Sequence, residues 1–192
     1  KLAVMEIMKG QPRLVVSGIN LGSNTGIHVL YSGTVAAAIE GAILGIPAVA
    51  LSLDVSGFPD LEYAAIISRD VIELLLKHDL PRGSLLNVNF PSVKRGEIKG
   101  IRITKQYTYN FEESVDRRKD PAGKTYYWLV GGREITVEEK GTDIEAIRQG
   151  YISITPLRYD LTNHELLEKV GYWDWGQLDQ HFKDSTFLGK EV

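Results

Sequence analysis

The sequence contains no cysteine, and its 192 residues carry a formal net charge of only −3. The absence of cysteine excludes disulfide bonds and thiolate metal sites, and it suits a reducing cytoplasm, where we expect the protein. The small negative charge provides no basic field for binding DNA as a polymer. No apolar run approaches the roughly 20 residues that a membrane span requires, so we expect no membrane partner.

Several familiar catalytic motifs are also missing from the sequence. It has no Gly-x-Ser-x-Gly nucleophile elbow, no His-Glu-x-x-His zinc motif and no Walker loop. The glycines between Gly18 and Gly26 do not follow the Gly-x-Gly-x-x-Gly order of a dinucleotide-binding turn. The absence of these motifs means that any catalytic or binding site must be built from a less common arrangement of residues.

The most informative stretch is 14–53, which has the pattern of a strand, a long loop, a helix and a second strand. Its first residues, 14–16, form the short continuous apolar run that is typical of a parallel strand buried on both faces. The following loop, 18–33, is rich in glycine and asparagine and begins where α/β sheets bind their ligands. Such loops usually have about two to six residues, so this longer one favours a functional loop.

The loop ends at Ser32-Gly33-Thr34, where the small-residue helix begins. A helix start carries unpaired N–H groups and a partial positive charge. Gly33 allows a ligand to approach the backbone, and Ser32 and Thr34 add hydroxyl donors, so this start can seat a phosphate. The alternative is that Ser32 is only an N-cap and that the glycines only turn the chain.

The rest of the chain predicts an α/β fold. The expected elements are a strand over 48–53, an amphipathic helix over 60–78, a strand over 84–90, a short helix over 141–150, a strand over 151–155 and a short helix over 163–170. Asparagine disfavours strands, so Asn87 and Asn89 serve either a polar site or hydrogen bonds to a neighbouring loop. Thr142 or Asp143 caps the helix over 141–150, and Asp143 is a capping residue first and a site candidate second.

Two segments suggest contact with a second copy of the chain. Aromatic, β-prone residues flank the turn at 120–123, which predicts a long hairpin. An isolated two-stranded ribbon is marginal in water, so its arms need a partner surface, either another subunit or their own domain. Tyr172, Trp173 and Trp175 lie among polar residues near the end of the chain, which also indicates docking on another surface.

Several of these motifs together resemble the SurE survival-protein family of metal-dependent 5′/3′-nucleotidases. The matching residues are Ser17-Gly18-Ile19-Asn20, the Gly22/Asn24 spacing, Leu30-Tyr31-Ser32-Gly33-Thr34-Val35, Gly45-Ile46-Pro47-Ala48, Leu86-Asn87-Val88-Asn89-Phe90-Pro91, and Gly141-Thr142-Asp143 with Ala146, Gly150 and Ser153-Ile154-Thr155-Pro156-Leu157. They cover most of the chain in the family's order.

The resemblance implies a Rossmann-like three-layer sandwich with a mostly parallel sheet, an extended β-hairpin and a C-terminal oligomerisation segment. It implies a phosphomonoesterase that hydrolyses nucleoside 5′- and 3′-monophosphates or other small phosphomonoesters with Mg²⁺ or Mn²⁺. Asn20 would be a catalytic residue and metal ligand, and Ser32 a catalytic residue. Ser32, Gly33, Thr34 and Asn24 would bind substrate. The resemblance also implies a homodimer or tetramer formed through the hairpin and the C-terminal segment.

One departure from the family pattern matters. The family's metal is also held by two adjacent aspartates and a serine, and this sequence contains no Asp-Asp pair. We therefore expect 1–97 to be an α/β core that lacks the N-terminal strands, 98–140 the hairpin, and 141–192 the returning helix and strand with the oligomerisation segment. The alternative function is a non-catalytic nucleotide-binding, phosphate-binding or oligomerisation fragment.

Overall fold

The structure is a computed structural model, and it describes residues 1–108, 111–134, 139–176 and 178. The chain divides into two compact units, Lys1–Tyr159 and Asp160–Val192. The first unit contains every strand that the structure describes.

Seven strands and four α-helices are described. The strands are β1 (Val15–Leu21), β2 (Ala48–Leu53), β3 (Ser84–Phe90), β4 (Ile101–Ile103), β5 (Phe111–Lys119), β6 (Thr125–Glu134) and β7 (Ile152–Arg158). The helices are α1 (Gly33–Ile43), α2 (Leu61–Leu75), α3 (Asp143–Arg148) and α4 (His164–Gly171). Short helical turns of other types cover Ala3–Ile7, Gly26–Tyr31 and Arg95–Glu97.

The central sheet has the strand order β1-β2-β3-β7-β4, in which only the β3–β7 pair is antiparallel. Every residue of β2 is buried, as a central parallel strand covered on both faces requires. Helix α1 packs on one face through small residues such as Ala38 and Ala42, and α2 packs on the opposite face through Ala64 and Val71. The predicted α/β class with a mostly parallel sheet is confirmed.

Polar side chains define where the two longer helices of this unit begin. Ser32 Oγ accepts a hydrogen bond from the Val35 N–H at the start of α1, and Asp60 Oδ1 accepts one from the Tyr63 N–H at the start of α2. These N-caps satisfy N–H groups that have no acceptor within the helix. The helix predicted over 60–78 is shorter than expected and ends at Leu75.

Several strand boundaries differ from those expected from the sequence, and β7, expected over 151–155, continues to Arg158. Strand β1 continues to Leu21, past the glycine where the predicted strand ended, because Gly18 has a positive φ of 114° and lies against the Leu51 carbonyl. The expectation that 98–140 is hairpin was wrong at its start, because Ile101–Ile103 pairs with β7 in the central sheet. The two-stranded ribbon is formed by β5 and β6, which meet at the predicted turn.

The second unit contains α4, close to the short helix predicted over 163–170, and its N-cap is Asn163. After the helix, the rings of Trp173 and Trp175 stack with their centroids 5.7 Å apart, and Trp175 Nε1 donates to the Val170 carbonyl. Tyr172 is almost fully exposed. The predicted use of this segment in oligomerisation stays a prediction.

Among the helices that the structure describes, none combines the length and the apolar character needed to cross a membrane.

Candidate functional site

A row of polar side chains crosses the α1 face of the sheet near the carboxyl ends of β1, β2 and β3. Asn20 lies beside Ser52, and Ser52 lies beside Asn89 in the strand register. Ser52 and Asn89 are fully buried, although the neighbouring positions in their strands are mainly apolar. Buried polar groups persist only when they are hydrogen-bonded, so this row must serve a specific contact.

The carboxamide of Asn20 is held by three neighbours in this row. Its Oδ1 accepts hydrogen bonds from Ser52 Oγ and from Asn24 Nδ2, each at 2.9 Å, and its Nδ2 donates to the Gly22 carbonyl at 2.8 Å. An amide oxygen has two lone pairs, and both are engaged here. The network therefore fixes the orientation of the carboxamide and occupies both acceptor positions of its oxygen.

Asn24 connects the long loop to the sheet. Its backbone N–H donates to Asn89 Oδ1 at 2.8 Å, and its carbonyl accepts from Asn87 Nδ2 at 2.8 Å and from Asn89 Nδ2 at 3.2 Å. Its side chain also donates to Ser52 Oγ at 2.8 Å. Of the two interpretations of the strand asparagines, hydrogen bonding to a neighbouring loop is therefore confirmed.

The predicted phosphate seat lies at the other end of the same loop. Ser32 and Thr34 are partly exposed and Gly33 is exposed, so the helix start is open to solvent. A Cβ placed on Gly33 would meet no atom within 4 Å. The Ser32 side chain caps the Val35 N–H, which leaves the N–H groups of Gly33 and Thr34 without an acceptor inside the helix. The arrangement can accept an anion.

A buried carboxylate fixes the middle of the loop. Asp143 Oδ2 accepts from the Gly26 N–H at 2.8 Å, and its Oδ1 accepts from the N–H groups of Tyr107 at 3.1 Å and Ile144 at 2.8 Å. The side chain of Asp143 is fully buried. Burial raises the pKa of this carboxyl above its ordinary value, because the lowering effect of the N–H donors does not fully offset the loss of hydration. The cap of α3 is Thr142, so Asp143 is not the helix cap.

The chemistry of the donors around Asn20 decides whether a divalent metal fits the described residues. Mg²⁺ and Mn²⁺ prefer oxygen ligands that include carboxylates. The neighbours of Asn20 are neutral amides and a hydroxyl, and both lone pairs of its oxygen are already used. In the part of the chain that the structure describes, no three acidic or histidine side chains come together to hold a metal ion. The described residues alone therefore do not form a suitable site for Mg²⁺ or Mn²⁺.

The structure places the predicted site residues in two groups, one at each end of the long loop between β1 and α1. Asn20 and Asn24 are joined by a direct hydrogen bond at the sheet, and Ser32, Gly33 and Thr34 form the exposed start of α1. Sequence reasoning missed Ser52, which joins Asn20 to Asn24. Its signal was available, because Ser52 is the only polar residue of an otherwise apolar strand.

This fold and site define an α/β protein with a long glycine- and asparagine-rich loop at the carboxyl edge of a mostly parallel sheet, the edge at which such folds bind their ligands. A sequence model of the family "Survival protein SurE" matches residues 1–113. The chain belongs to the SurE family.

The relatives that carry the likeness are bacterial. The chain is 44% identical to the 5′-nucleotidase SurE of Christiangramia forsetii over 174 residues, which cover 90% of this chain and 67% of that protein. It is 50% identical to the 5′-nucleotidase SurE 1 of Thermus thermophilus over 162 residues, or 84% of this chain and 63% of that protein. The crystal structure of the SurE protein from Aquifex aeolicus matches with a TM-score of 0.74 and 39% identity, over 89% of this chain and 69% of that one. The chain thus spans about two thirds of the length of these relatives.

Proposed function

We propose that the protein is a nucleotidase that hydrolyses nucleoside 5′-monophosphates to a nucleoside and inorganic phosphate. The names of its relatives support this proposal, and so does the open helix start at Ser32-Gly33-Thr34. In this reaction a water oxygen forms a new bond to phosphorus, the bond to the ribose oxygen breaks, and a proton reaches that leaving oxygen.

The observation that carries the proposal is the free space at Gly33. The N–H groups of Gly33 and Thr34 can donate to phosphoryl oxygens, and the positive end of the helix dipole favours their negative charge. The Ser32 hydroxyl accepts from the Val35 N–H and still has its own proton to donate. The seat would therefore bind the phosphoryl group and stabilise the charge that develops on it.

The test of this seat is Gly33→Ala. The new methyl group meets no protein atom, so the free energy of unfolding should stay the same or rise by about 0.4–1 kcal/mol. The same methyl group occupies the space of the phosphate, so calorimetric titration with inorganic phosphate should show at least about tenfold weaker binding.

The matched control is Gly96→Ala, which also meets no atom within 4 Å and lies in the turn Arg95–Glu97. It should leave phosphate affinity unchanged. Equal phosphate affinity in the wild type and Gly33→Ala would show that the start of α1 does not bind the phosphoryl group.

Metal dependence, action on 3′-monophosphates and the role of Asn20 as a metal ligand remain predictions. Titration of the wild type and of Asn20→Ala with Mn²⁺ tests the ligand role, because losing a ligand should lower the affinity. Asn20→Ala should also abolish metal-dependent turnover of nucleoside monophosphates while the chain stays folded. Near-wild-type turnover across Mn²⁺ concentrations would contradict that role.

A second candidate function is phosphate or nucleotide binding without hydrolysis. The neutral environment of Asn20 favours it, because the hydrogen-bond partners of that amide are an amide, a hydroxyl and a backbone carbonyl. An assay of the purified chain on p-nitrophenyl phosphate with Mn²⁺ separates the two functions. Turnover supports the nucleotidase, whereas phosphate binding without turnover supports the binding function.

We also propose self-association through the ribbon of β5 and β6. Tyr127, Trp128 and Leu129 are all exposed on this ribbon, and an isolated pair of strands is marginal in water. The double variant Tyr127→Ser/Leu129→Ser should lower the mass measured by light scattering, and Lys124→Ser at the turn should not. A wild-type monomer, or an unchanged mass in the double variant, would contradict the proposal.

A further inference from the structure

We propose that Asp143 is a positioning residue for the phosphate seat. Its carboxylate fixes the loop at Gly26 and thereby sets the position of the helix start at Ser32. This inference rests on the proposed function. It adds to the phosphate seat a residue that acts from a distance and does not contact the ligand.

The geometry of Asp143 differs from that of an ordinary capping residue. Helix α3 is already capped by Thr142, whose Oγ1 accepts from the Glu145 N–H. The carboxylate of Asp143 is left to bind backbone N–H groups of three separate segments, at Gly26, Tyr107 and Ile144. Burying a carboxylate costs free energy, and Asp143 is fully buried. Its position between these three segments therefore indicates that it holds the loop in a particular conformation.

Gly26 is held from several directions at once. Its N–H donates to Asp143, and its carbonyl accepts from Gln106 Nε2 at 2.8 Å. A Cβ on Gly26 would lie 3.0 Å from Ile144 Cδ1 and 3.2 Å from the Tyr107 carbonyl oxygen, and its φ is +56°. The loop therefore passes through a tight gap beside α3, in which a side chain at position 26 would be crowded.

The link from Gly26 to the seat is short and regular. The turn Gly26–Tyr31 runs directly into Ser32, the N-cap of α1. Val29 in this turn is buried against the α1 core, whereas Tyr31 is 78% exposed. Asn24 fixes the loop on the sheet side, and Asp143 fixes it on the side that leads to the seat. Loss of the second anchor should loosen the seat without removing any of its donors.

The decisive variant is Asp143→Asn, because the two carboxylate oxygens have different partners. The asparagine oxygen can keep the bonds to the Tyr107 and Ile144 N–H groups, but its NH₂ then faces the Gly26 N–H, and two donors cannot bond. The substitution thus breaks the loop anchor selectively. We expect about tenfold weaker binding of inorganic phosphate by calorimetry, the effect of one lost hydrogen bond. Hydrogen exchange at the amides of Val35 and Ala36, which are hydrogen-bonded to Ser32 Oγ and to the Ser32 carbonyl, should also become faster.

Asp60→Asn is the matched control, since Asp60 also accepts a backbone N–H as the cap of α2 and makes no described contact with the loop. It should change neither phosphate affinity nor exchange at residues 35 and 36. Gln106→Ala removes the second support of Gly26 and should act in the same direction as Asp143→Asn. This variant tests the proposal even if Asp143→Asn fails to fold.

A purely structural role for Asp143 would lower the unfolding temperature but leave phosphate affinity unchanged far below that temperature. Unchanged affinity and unchanged exchange in Asp143→Asn and Gln106→Ala would overturn the proposal. If the wild type binds no phosphate, the proposed function fails instead. The exchange rates at Val35 and Ala36 then still decide whether Asp143 positions the helix start.

Discussion

The side-chain amide of Asn24 donates a hydrogen bond to Asn20 Oδ1 at 2.9 Å, and Ser52 Oγ donates to the same oxygen at the same distance. Asn24 also donates to Ser52 Oγ, so the three side chains form a closed triangle. The loop therefore controls the orientation of the amide at the end of β1. Networks of this kind rigidify a site only while every member is satisfied.

The triangle predicts measurable coupling between Asn20 and Asn24. Asn24→Ala removes donors to Asn20 and Ser52 and should lower the free energy of unfolding by about 1–3 kcal/mol. In a double-mutant cycle with Asn20→Ala, urea unfolding should give a coupling energy of about 0.5–3 kcal/mol. Additive effects of the two substitutions would show that their hydrogen bond contributes nothing to stability.

Ser32→Ala should separate capping from phosphate binding. Loss of the bond to the Val35 N–H should lower the free energy of unfolding by about 1 kcal/mol. Asp60→Ala, which removes the cap of α2, should have a similar effect on urea unfolding. Only Ser32→Ala should also weaken phosphate binding. An equal phosphate affinity in both variants would leave Ser32 with the capping role alone.

Gly18→Ala should be among the most destabilising single substitutions in the central sheet. A Cβ at this position would lie 2.2 Å from the Leu51 carbonyl oxygen, and the backbone φ of +114° is also unfavourable for alanine. We expect the free energy of unfolding to fall by about 3 kcal/mol or more. Gly96→Ala, where the methyl group is unobstructed, should change it little, and a small effect at both positions would contradict the close approach of β1 to β2.

The two aspartates that accept backbone N–H groups should have opposite pH effects. Burial raises the pKa of Asp143, so the folded state holds this proton more tightly than the unfolded state does. Its contribution to stability should therefore fall as pH rises from about 3.9 through the folded pKa. The Tyr63 N–H, and then Arg95, lower the pKa of Asp60. Its contribution should be present above about 3.9 and be lost as pH falls through the folded pKa.

The measurement is urea unfolding across an acidic pH series for the wild type, Asp143→Asn and Asp60→Asn. The stability difference between wild type and Asp143→Asn should fall with rising pH. The difference between wild type and Asp60→Asn should rise with pH, in a lower range. If both stability differences changed with pH in the same direction, one of the two pKa shifts would be contradicted.

Local patterns in the sequence predicted the elements well wherever burial and capping act over a few residues. The bounds of β2 and β3 follow from their apolar runs, and the helix predicted over 163–170 differs from α4 by one residue at each end. The start of α1 at Ser32-Gly33-Thr34 was also visible, because a cap and its helix are adjacent in the chain.

Contacts between distant residues were not visible in the same way. The strand that pairs with Ile101–Ile103 could not be deduced, since an alternation of apolar residues suits either a hairpin or the edge of a sheet. In the structure this segment pairs with β7 at the edge of the central sheet.

The amino-acid sequence by itself determined the α/β class, the helix start that can receive an anion and the asparagine-rich loop before it. Only the tertiary structure decided that Ser52 joins Asn20 to Asn24 and that Asp143, 117 residues after Gly26, fixes that loop. The physical reason is that caps and periodicity depend on neighbouring residues, whereas a buried hydrogen bond depends on which segments the fold brings together.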